Sequence, residues 1–281
     1  MAAGHRMNNT LKAGLAALVM AFSLIVTSGG VSFAQDLQKG VGAYNKGDIA
    51  IALREFRALA EQGNAQGQFN LGVMYAMGQG VIQDYGEAVK WYRKSAAQGN
   101  AQAQNNLGNM YDEGQGVAQD YKEAVKWYRK SAEQGAAIAQ GALGLMYANG
   151  DGVAQDYKEA LKWFRKSVEQ GNAPAQFNLG RMYENGWGVT QDYGEALKWY
   201  RKSAEQGVAI AQFNLGLVYN RGQGVIQDNV YAHMWWNIAA STGHADATKF
   251  RDDVAKEMSA AQLAKAQKLA RECVNKQFKG C

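Results

Sequence analysis

The chain has 281 residues, of which 47% are hydrophobic and 20% charged, and it contains 33 glycines and one proline. This apolar content excludes a disordered chain and is enough for one or two ordinary domains. The net charge of +5 is concentrated at the two ends, because residues 1–34 carry +2 and residues 245–281 carry +3. The middle of the chain is nearly neutral. Since phosphate binding needs a concentrated basic surface, this distribution argues against a nucleic-acid-binding protein.

The N-terminus has the order of residues that is typical of a secretory signal peptide. Arg6 and Lys12 precede an apolar run over residues 13–26, and small and polar residues follow up to Ala34. As a helix this run would be about 21 Å long, whereas a membrane anchor must span about 30 Å of hydrocarbon. We therefore predict a signal peptide over residues 1–34 that is cleaved after Ala34. The mature protein is expected to be periplasmic or secreted and to have no membrane span.

Residues 35–64 predict an N-terminal partial repeat with a shortened turn. Apolar residues recur at helical spacing over residues 50–60, after the turn sequence Asn-Lys-Gly-Asp. Asp48 is expected to cap the N-terminus of that helix. The segment ends in Gln-Gly-Asn, as residues 98–100 and 170–172 do.

The centre of the chain is a tandem repeat with a period of 36 residues. The segment Lys-Trp-Tyr-Arg-Lys-Ser begins at Lys90 and Lys126, returns with phenylalanine for tyrosine at Lys162, and begins again at Lys198. A constant period between about 20 and 50 residues predicts a solenoid or a propeller. Aligned on this segment, the repeats are residues 65–100, 101–136, 137–172, 173–208 and 209–244.

Each repeat predicts two antiparallel helices. The first runs over about residues 65–77 and ends at Gly78, where a left-handed C-terminal cap favours glycine. Asp84 is expected to cap the second helix, with Glu87 completing a capping box. A glycine recurs inside the first helix, at Gly72 in the first repeat. Because an internal glycine costs about 1 kcal/mol relative to alanine, we expect two helix backbones to approach closely there.

The last repeat and the tail predict a helical cap. In the second helix of this repeat Met234, Asn237 and Ile238 replace the lysine, arginine and lysine of the others. Terminal repeats of an array need a covering element with a polar outer face. Residues 245–281 are expected to supply it, with a capping box from Ser259 to Gln262 opening the final helix.

The chain has two cysteines, Cys273 and Cys281, both in the tail. In an oxidising compartment we predict that they form a disulfide, with free or intermolecular thiols as the alternative.

These segments resemble a known repeat family. The motifs Leu-Gly-x-Met-Tyr, Gly-x-Gly-Val-x-Gln-Asp-Tyr and Glu-Ala-x-Lys-Trp-Tyr-Arg-Lys-Ser-Ala-x-Gln-Gly are similar to those of Sel1-like repeats, a tetratricopeptide-like family, throughout residues 65–244. The resemblance implies an all-α fold, a right-handed α-solenoid of stacked αα-hairpins. It also implies an adaptor or scaffold for protein assemblies, and it names no partner.

The residues of a catalytic or metal site should converge once, in one place. Here nearly every notable polar residue recurs in four or five repeats, and His233 and His244 have no clustered cysteine or histidine partners. We therefore predict a protein that is not an enzyme and that binds no cofactor or metal. A hydrolase active on cell walls or β-lactams remains an alternative that the sequence leaves open.

Lys90, Arg93 and Lys94 form a basic stripe that recurs in four repeats. The simpler interpretation is a solvated helix face on which Glu87 pairs with Lys90. The alternative is a surface that binds an envelope polysaccharide.

Variable positions on the first helices predict a partner-binding groove, because invariant positions should serve packing. An unidentified protein or peptide is the expected partner, with cell-wall material as a further class. The phenylalanines would be apolar anchors and the polar residues would supply hydrogen bonds, although the phenylalanines alternatively fill gaps between helices. The predicted groove residues are Phe69, Asn105, Asn109, Phe177, Arg181, Phe213 and Leu217.

Overall fold

The computed structural model describes residues 30–281, with side chains from Ala34 onward. Most of the predicted signal peptide therefore lies outside the described residues, and the expected cleavage point falls within the first helix, α1 (Gly30–Lys46). Over residues 30–281 the secondary structure is helical, with no strand. None of the helices in that range has both the length and the hydropathy needed to cross a bilayer.

The helices pair as stacked hairpins, and the predicted all-α solenoid with a C-terminal cap is confirmed. One compact unit ends at Gln155 and a second spans Asp156–Cys281. After α1, the first unit contains α2 (Ile49–Glu61), α3 (Ala65–Met77), α4 (Tyr85–Ala97), α5 (Ala101–Glu113), α6 (Tyr121–Glu133) and α7 (Ala137–Asn149). The second contains α8 (Tyr157–Glu169), α9 (Ala173–Asn185), α10 (Tyr193–Ala204), α11 (Ala209–Arg221), α12 (Asn229–Ser241), α13 (Ala247–Ala255) and α14 (Ala260–Asn275).

The second helix of each repeat begins at an aspartate, as predicted, but the capping box is incomplete. Asp84 Oδ1 accepts from the Glu87 backbone N–H at 2.9 Å. The Glu87 carboxylate pairs with Lys90 at 2.5 Å instead of returning to the cap. The Asp84 N–H donates to the carbonyl oxygen of Tyr75, at 3.0 Å, and so closes the loop between the two helices. The same loop-closing bond joins Asp120 to Tyr111, Asp192 to Tyr183 and Asp228 to Tyr219.

Asp48 precedes α2 as expected, but its side chain makes no capping hydrogen bond, so that part of the prediction is wrong. Its backbone has φ −79° and ψ 64°, whereas Asp84 is extended with φ −146° and ψ 101°. A capping carboxylate reaches the first turn from an extended backbone. The short turn that joins α1 to α2 prevents this, because the Asp48 N–H donates to Ala43 O at 2.9 Å.

The recurrent helix glycine accommodates both an aromatic ring and, less closely, the backbone of the second helix. A Cβ atom on Gly72 would lie 2.8 Å from the ring of Tyr92, while the nearest backbone atom, Ala88 O, would be at 3.3 Å. Gly108 and Gly180 are approached in the same way by Tyr128 and Tyr200. The second backbone thus does approach closely, as expected, but the tyrosine ring lies closer still. The glycine lets the tyrosine cross the first helix, so that the tyrosine hydroxyl reaches residues on that helix.

Neighbouring repeats are joined by an arginine–tyrosine hydrogen bond. Arg93 Nη2 donates to the Tyr111 hydroxyl at 2.7 Å, and the same bond links Arg129 to Tyr147 at 2.6 Å. In the second compact unit it links Arg165 to Tyr183 and Arg201 to Tyr219. The arginine of the basic stripe is thus part of the packing between repeats.

The tail covers the altered face of the last repeat. Met234 and Ile238 are each 1% exposed and belong to a hydrophobic cluster that includes residues of α13 and α14. Ser259 and Gln262 form the predicted capping box at the start of α14. Beyond α14 the structure joins Cys273 to Cys281 in a disulfide with a Cα–Cα distance of 5.5 Å.

Candidate interaction surface

The phenylalanines of the predicted groove lie in the packed interior. Phe69 is 3% exposed and contacts Tyr92, with ring centroids 6.0 Å apart. Phe177 is 5% exposed and contacts Tyr200 at 5.6 Å. The structure gives both rings the gap-filling role that the sequence left as the alternative. Neither ring presents an open face to a partner.

Phe213 is covered by the cap. Its ring stacks on His244 at 4.1 Å and meets the edge of Phe250 at 5.0 Å. Leu217, one turn further along α11, is half-buried against the same hydrophobic cluster. These predicted groove residues connect the last repeat to its cap.

The polar residues of the predicted groove separate into two clusters, one in each compact unit. Asn105 and Asn109 lie on α5 in the first unit, and Arg181 lies on α9 in the second. Asn105 is 8% exposed, whereas Asn109 and Arg181 are half-buried. Their surroundings contain further residues that the sequence analysis did not select.

The first cluster, here called the acidic cluster, consists of Asn109, Asp112, Glu113, Tyr128 and Asp151. The Tyr128 hydroxyl lies 2.7 Å from Asn109 Oδ1 and 3.3 Å from Asp112 Oδ2. Burial raises the pKa of Asp112 above its ordinary value, and the nearby Glu113 and Asp151 carboxylates raise it further. The hydrogen bond from Tyr128 acts in the opposite direction and only partly offsets these effects.

The second cluster, here called the balanced cluster, consists of Tyr157, Arg181, Glu184, Trp187 and Tyr200. The Tyr200 hydroxyl donates to Glu184 Oε2 at 2.5 Å. The Arg181 guanidinium lies 5.2 Å from the centroid of the Trp187 ring, and Tyr157 stacks on that ring at 5.4 Å. Burial lowers the pKa of Arg181, while Tyr200, Glu184 and Tyr157 act to raise it. Here the chain supplies its own cation beside the carboxylate.

The two clusters occupy equivalent positions in the second and fourth repeats. Asp112 and Glu184 are 72 residues apart, as are Asn109 and Arg181. The third repeat has Phe164 in place of the tyrosine and Ala148 in place of the acid, so the hydroxyl and the carboxylate are absent together. The first repeat, however, keeps Tyr92 with Ala76 at the acid position, so the sequence does not link the two groups consistently.

The basic stripe is largely engaged in local contacts. Lys90 pairs with Glu87, and Arg93 bonds to Tyr111. Lys94 places its Nζ 4.1 Å from the centroid of the Trp91 ring, and the corresponding distances in the next three repeats are 4.3 to 4.5 Å. Each of these repeats therefore places a lysine on a tryptophan and directs its arginine to a tyrosine of the next repeat.

His233 and His244, which lie within residues 30–281, form no metal site with one another. His233 is buried in α12, and burial together with Arg251 lowers its pKa. Burial also lowers the pKa of His244, which stacks on Phe213. Among residues 30–281, no group of three or more histidine, cysteine, aspartate or glutamate side chains is arranged to hold a metal ion.

Comparisons with known protein families and with solved structures identify the same kind of repeat. The Sel1 repeat family matches residues 65–100, 101–135, 137–172, 173–208 and 209–244, which is more than half of the chain. No curated protein matches it. A Sel1 repeat protein from Oxalobacter formigenes has 32% sequence identity and a TM-score of 0.75, covering 84% of this chain and 96% of its own.

Two other solved structures resemble this chain less closely. A protective antigen of uropathogenic Escherichia coli has 28% identity and a TM-score of 0.43, covering 88% of this chain and 78% of its own. An immunity protein from Pseudomonas aeruginosa has 21% identity and a TM-score of 0.48, covering 79% and 84%. At these TM-scores neither likeness bears on function. Sel1 repeat proteins are generally protein-interaction scaffolds, and by its five matched repeats this chain belongs to the Sel1 repeat family.

Proposed function

We propose that this protein is a non-catalytic scaffold of the bacterial cell envelope that binds a protein or peptide on the partly exposed face of its first helices. The observation that carries the proposal is the contrast between an invariant framework and variable polar clusters at one position of that framework. The glycine and the loop-closing aspartate recur in every repeat. The residues at the positions of Asn109 and Asp112 vary among the repeats, with leucine at the first position in two repeats and alanine at the second in two.

This contrast is typical of recognition rather than of folding. Asp112 and Glu184 are half-buried beside tyrosine hydroxyls, and such polar groups are costly to desolvate unless their hydrogen bonds are satisfied. A repeat with alanine at this position, such as the third, avoids this cost. The first-helix face therefore carries polar groups that packing does not require, and a partner is the simplest reason to retain them.

The envelope location rests on the N-terminal sequence and on the cysteines. Residues 1–34 have the order of a signal peptide, and disulfides persist in oxidising compartments such as the periplasm. The pairing of Cys273 with Cys281 supports the same environment.

Site-specific photocrosslinking tests the proposal. A benzoylphenylalanine replaces either Ile138, which is 52% exposed on α7, or Asn185, which is exposed on α9. Matched controls carry it at Lys130 and Lys202, exposed positions of the second helices α6 and α10. We expect crosslinks to one or a few defined proteins from the first-helix positions and none from the controls. Equal crosslinking from both sets of positions would contradict the proposal.

One observation favours a second candidate, a module that binds envelope polysaccharide. Lysines over tryptophans recur in four repeats, and both residue types contact anionic sugars well. Sedimentation of the protein with purified cell wall, at low and high salt, tests this candidate. Co-sedimentation that is lost in high salt and in the variant K94E/K130E would favour it over the scaffold.

A further inference from the structure

We infer that protonation of His233 releases helix α13 from the last repeat, so that the C-terminal cap opens in mild acid. The inference concerns the second compact unit alone, where α11, α12, α13 and α14 supply the residues. It goes beyond the proposed function and does not depend on it, because it concerns the stability of the cap and not a partner.

The last repeat has a titratable side chain at a position that is apolar in the other four. His233 stands where those repeats have Val89, Val125, Leu161 and Leu197. Val89 and Val125 are 2% and 5% exposed, so this position serves packing. His233 is equally buried, at 4% exposure. Histidine therefore replaces the apolar residue only in the repeat that packs against the cap.

His233 lies on the face of α12 that contacts α13. Four residues further along α12, Asn237 Oδ1 accepts a hydrogen bond from Arg251 Nη1 of α13 at 3.2 Å. Residues four apart share a helix face, which places His233 beside the same helix. The Arg251 guanidinium also pairs with Asp252 at 2.8 Å, and both charges act on His233.

The surroundings of His233 favour the neutral imidazole. Its Nδ1 atom is fully buried and has no hydrogen-bond partner in the described structure. Protonation makes both ring nitrogens donors, and a charged donor that is buried without an acceptor costs more than a neutral one. Burial lowers the pKa of His233 and Arg251 lowers it further, while Asp252 only partly offsets these effects.

The helices that pack against α12 bring one acid to the buried ring, Asp252 of α13. The only charged residue of α11 is Arg221, which is exposed in its last turn. The only acid of α14 is Glu272, which is exposed and pairs with Lys268 at 3.8 Å. The other titratable side chains of α11 to α14 are Tyr219 and Tyr231, which stack on each other, and the exposed Lys249, Asp253, Lys265 and Arg271.

The direction of the pKa shift determines the pH dependence. His233 has its ordinary pKa of 6.5 when the cap is open and a lower pKa when the cap is closed. The closed cap is therefore most stable above pH 6.5 and loses stability as pH falls from 6.5 toward the lowered pKa. Opening uncovers aromatic rings, because Phe250 of α13 lies 5.0 Å from Phe213 and 5.4 Å from Trp236.

Hydrogen–deuterium exchange on the purified full-length chain tests the inference. Exchange of the α13 amides is compared in neutral and mildly acidic buffer, after correction for the intrinsic rates, with α3 as the internal reference. The variant His233→Leu removes the titration by restoring the residue of the third and fourth repeats. We expect the opening constant of α13 to rise at least about fivefold in acid in the parent chain, and less than about twofold in H233L and at α3.

The matched control is His244→Phe, which removes the other described histidine and keeps a ring against Phe213. H244F should retain most of the acid response, because His244 is half-buried whereas His233 is almost fully buried. An acid response that is absent from the parent, kept in H233L, or lost in H244F would each overturn the inference.

NMR titration of the imidazole carbons keeps the test decisive if H233L does not fold. The chain has three histidines, so the variants His5→Gln and His244→Phe assign His233 by elimination. We expect His233 to titrate below its ordinary pKa of 6.5 and α13 exchange in the parent to rise over the same pH range. A titration at or above 6.5, or exchange that rises in a different range, would contradict the inference.

Discussion

The acidic cluster and the balanced cluster share one framework and differ in how their charge is compensated. In both, a tyrosine lies across a helix glycine and brings its hydroxyl to a carboxylate, Asp112 or Glu184. In the balanced cluster Arg181 is within electrostatic range of Glu184 and Tyr200, and its guanidinium lies 5.2 Å from the centroid of the Trp187 ring. In the acidic cluster Asn109 replaces the arginine and Glu113 and Asp151 add negative charge.

The difference teaches that packing and recognition are specified by different positions of the repeat. The glycine and the aromatic residue determine where the site lies. The residue at the position of Asn109 and Arg181 determines whether that position contributes a neutral amide or a cation. Each cluster therefore serves as a control for the other.

The largest expected effect comes from removing the shared framework. Gly108→Ala and Gly180→Ala would each place a methyl group within 2.7 Å of a tyrosine ring. Because the rings are buried and closely packed, we expect each variant to lose about 1–3 kcal/mol of unfolding free energy. Urea denaturation measures this. Gly42→Ala is the control, since its Cβ would meet nothing within 4 Å, and it should be neutral or slightly stabilising. Equal stability of all three variants would contradict the steric account.

Tyr128→Phe and Tyr200→Phe remove the hydroxyls but keep the rings. The third repeat already has phenylalanine, Phe164, at this position. We expect losses of about 1–2 kcal/mol at neutral pH. The hydrogen bond from Tyr128 favours the charged form of Asp112 and lowers its pKa, so the loss in Y128F should shrink as pH falls and Asp112 is protonated. Denaturation of both variants at several pH values measures this. A pH-independent loss in Y128F would contradict the assignment.

Exchanging Asn109 and Arg181 should give each cluster the electrostatic properties of the other. Asn109→Arg places a positive charge beside Asp112 and should lower its pKa, which NMR titration of the carboxyl carbon measures. Arg181→Asn removes the cation from Trp187 and should cost about 1 kcal/mol, with a change in tryptophan fluorescence. An Asp112 pKa that is unchanged in N109R would show that the two positions are not equivalent.

The smallest expected effect is that of Asp112→Asn. Since the pKa of Asp112 is raised in the folded state, the folded chain holds this proton more tightly than the unfolded chain does. Ionisation therefore destabilises the fold as pH rises from the ordinary value of 3.8 through the raised pKa. D112N should be slightly more stable than the parent at neutral pH, by less than about 1 kcal/mol, and equal to it at acid pH. Thermal melting at both pH values measures the difference, and a D112N chain that is less stable at neutral pH would contradict the sign.

Most of the fold could be predicted from the sequence because every signal in it occurs several times. A glycine or an aspartate that returns every 36 residues identifies a helix end far more securely than one occurrence does. The cap was predictable for the opposite reason, since Met234 and Ile238 break the pattern and need a cover. Asp48 shows the limit of this reasoning, because its residue type suggests a cap that its backbone angles do not allow.

The site was less predictable because it depends on distances between helices. Exposure on the first helix could not be deduced from variability alone, and Phe69 and Phe177 are variable yet buried. The roles of Tyr128 and Tyr200 depend on rings that cross a glycine on the neighbouring helix. The sequence does not indicate this contact, because the first repeat has Tyr92 but alanine, Ala76, at the acid position.

The bonds that close the loops and join the repeats also bear on how such a chain changes over generations. Four of the repeats close their own loop through an aspartate and a tyrosine. Successive repeats are joined by the same arginine–tyrosine bond. Recombination between similar gene segments that adds or deletes one 36-residue repeat would leave these bonds intact. The last repeat is the exception, because Met234 and Ile238 fit only the cap. The array can therefore lengthen or shorten in its middle while its C-terminal end is inherited unchanged, and each added copy is free to acquire a cluster of its own.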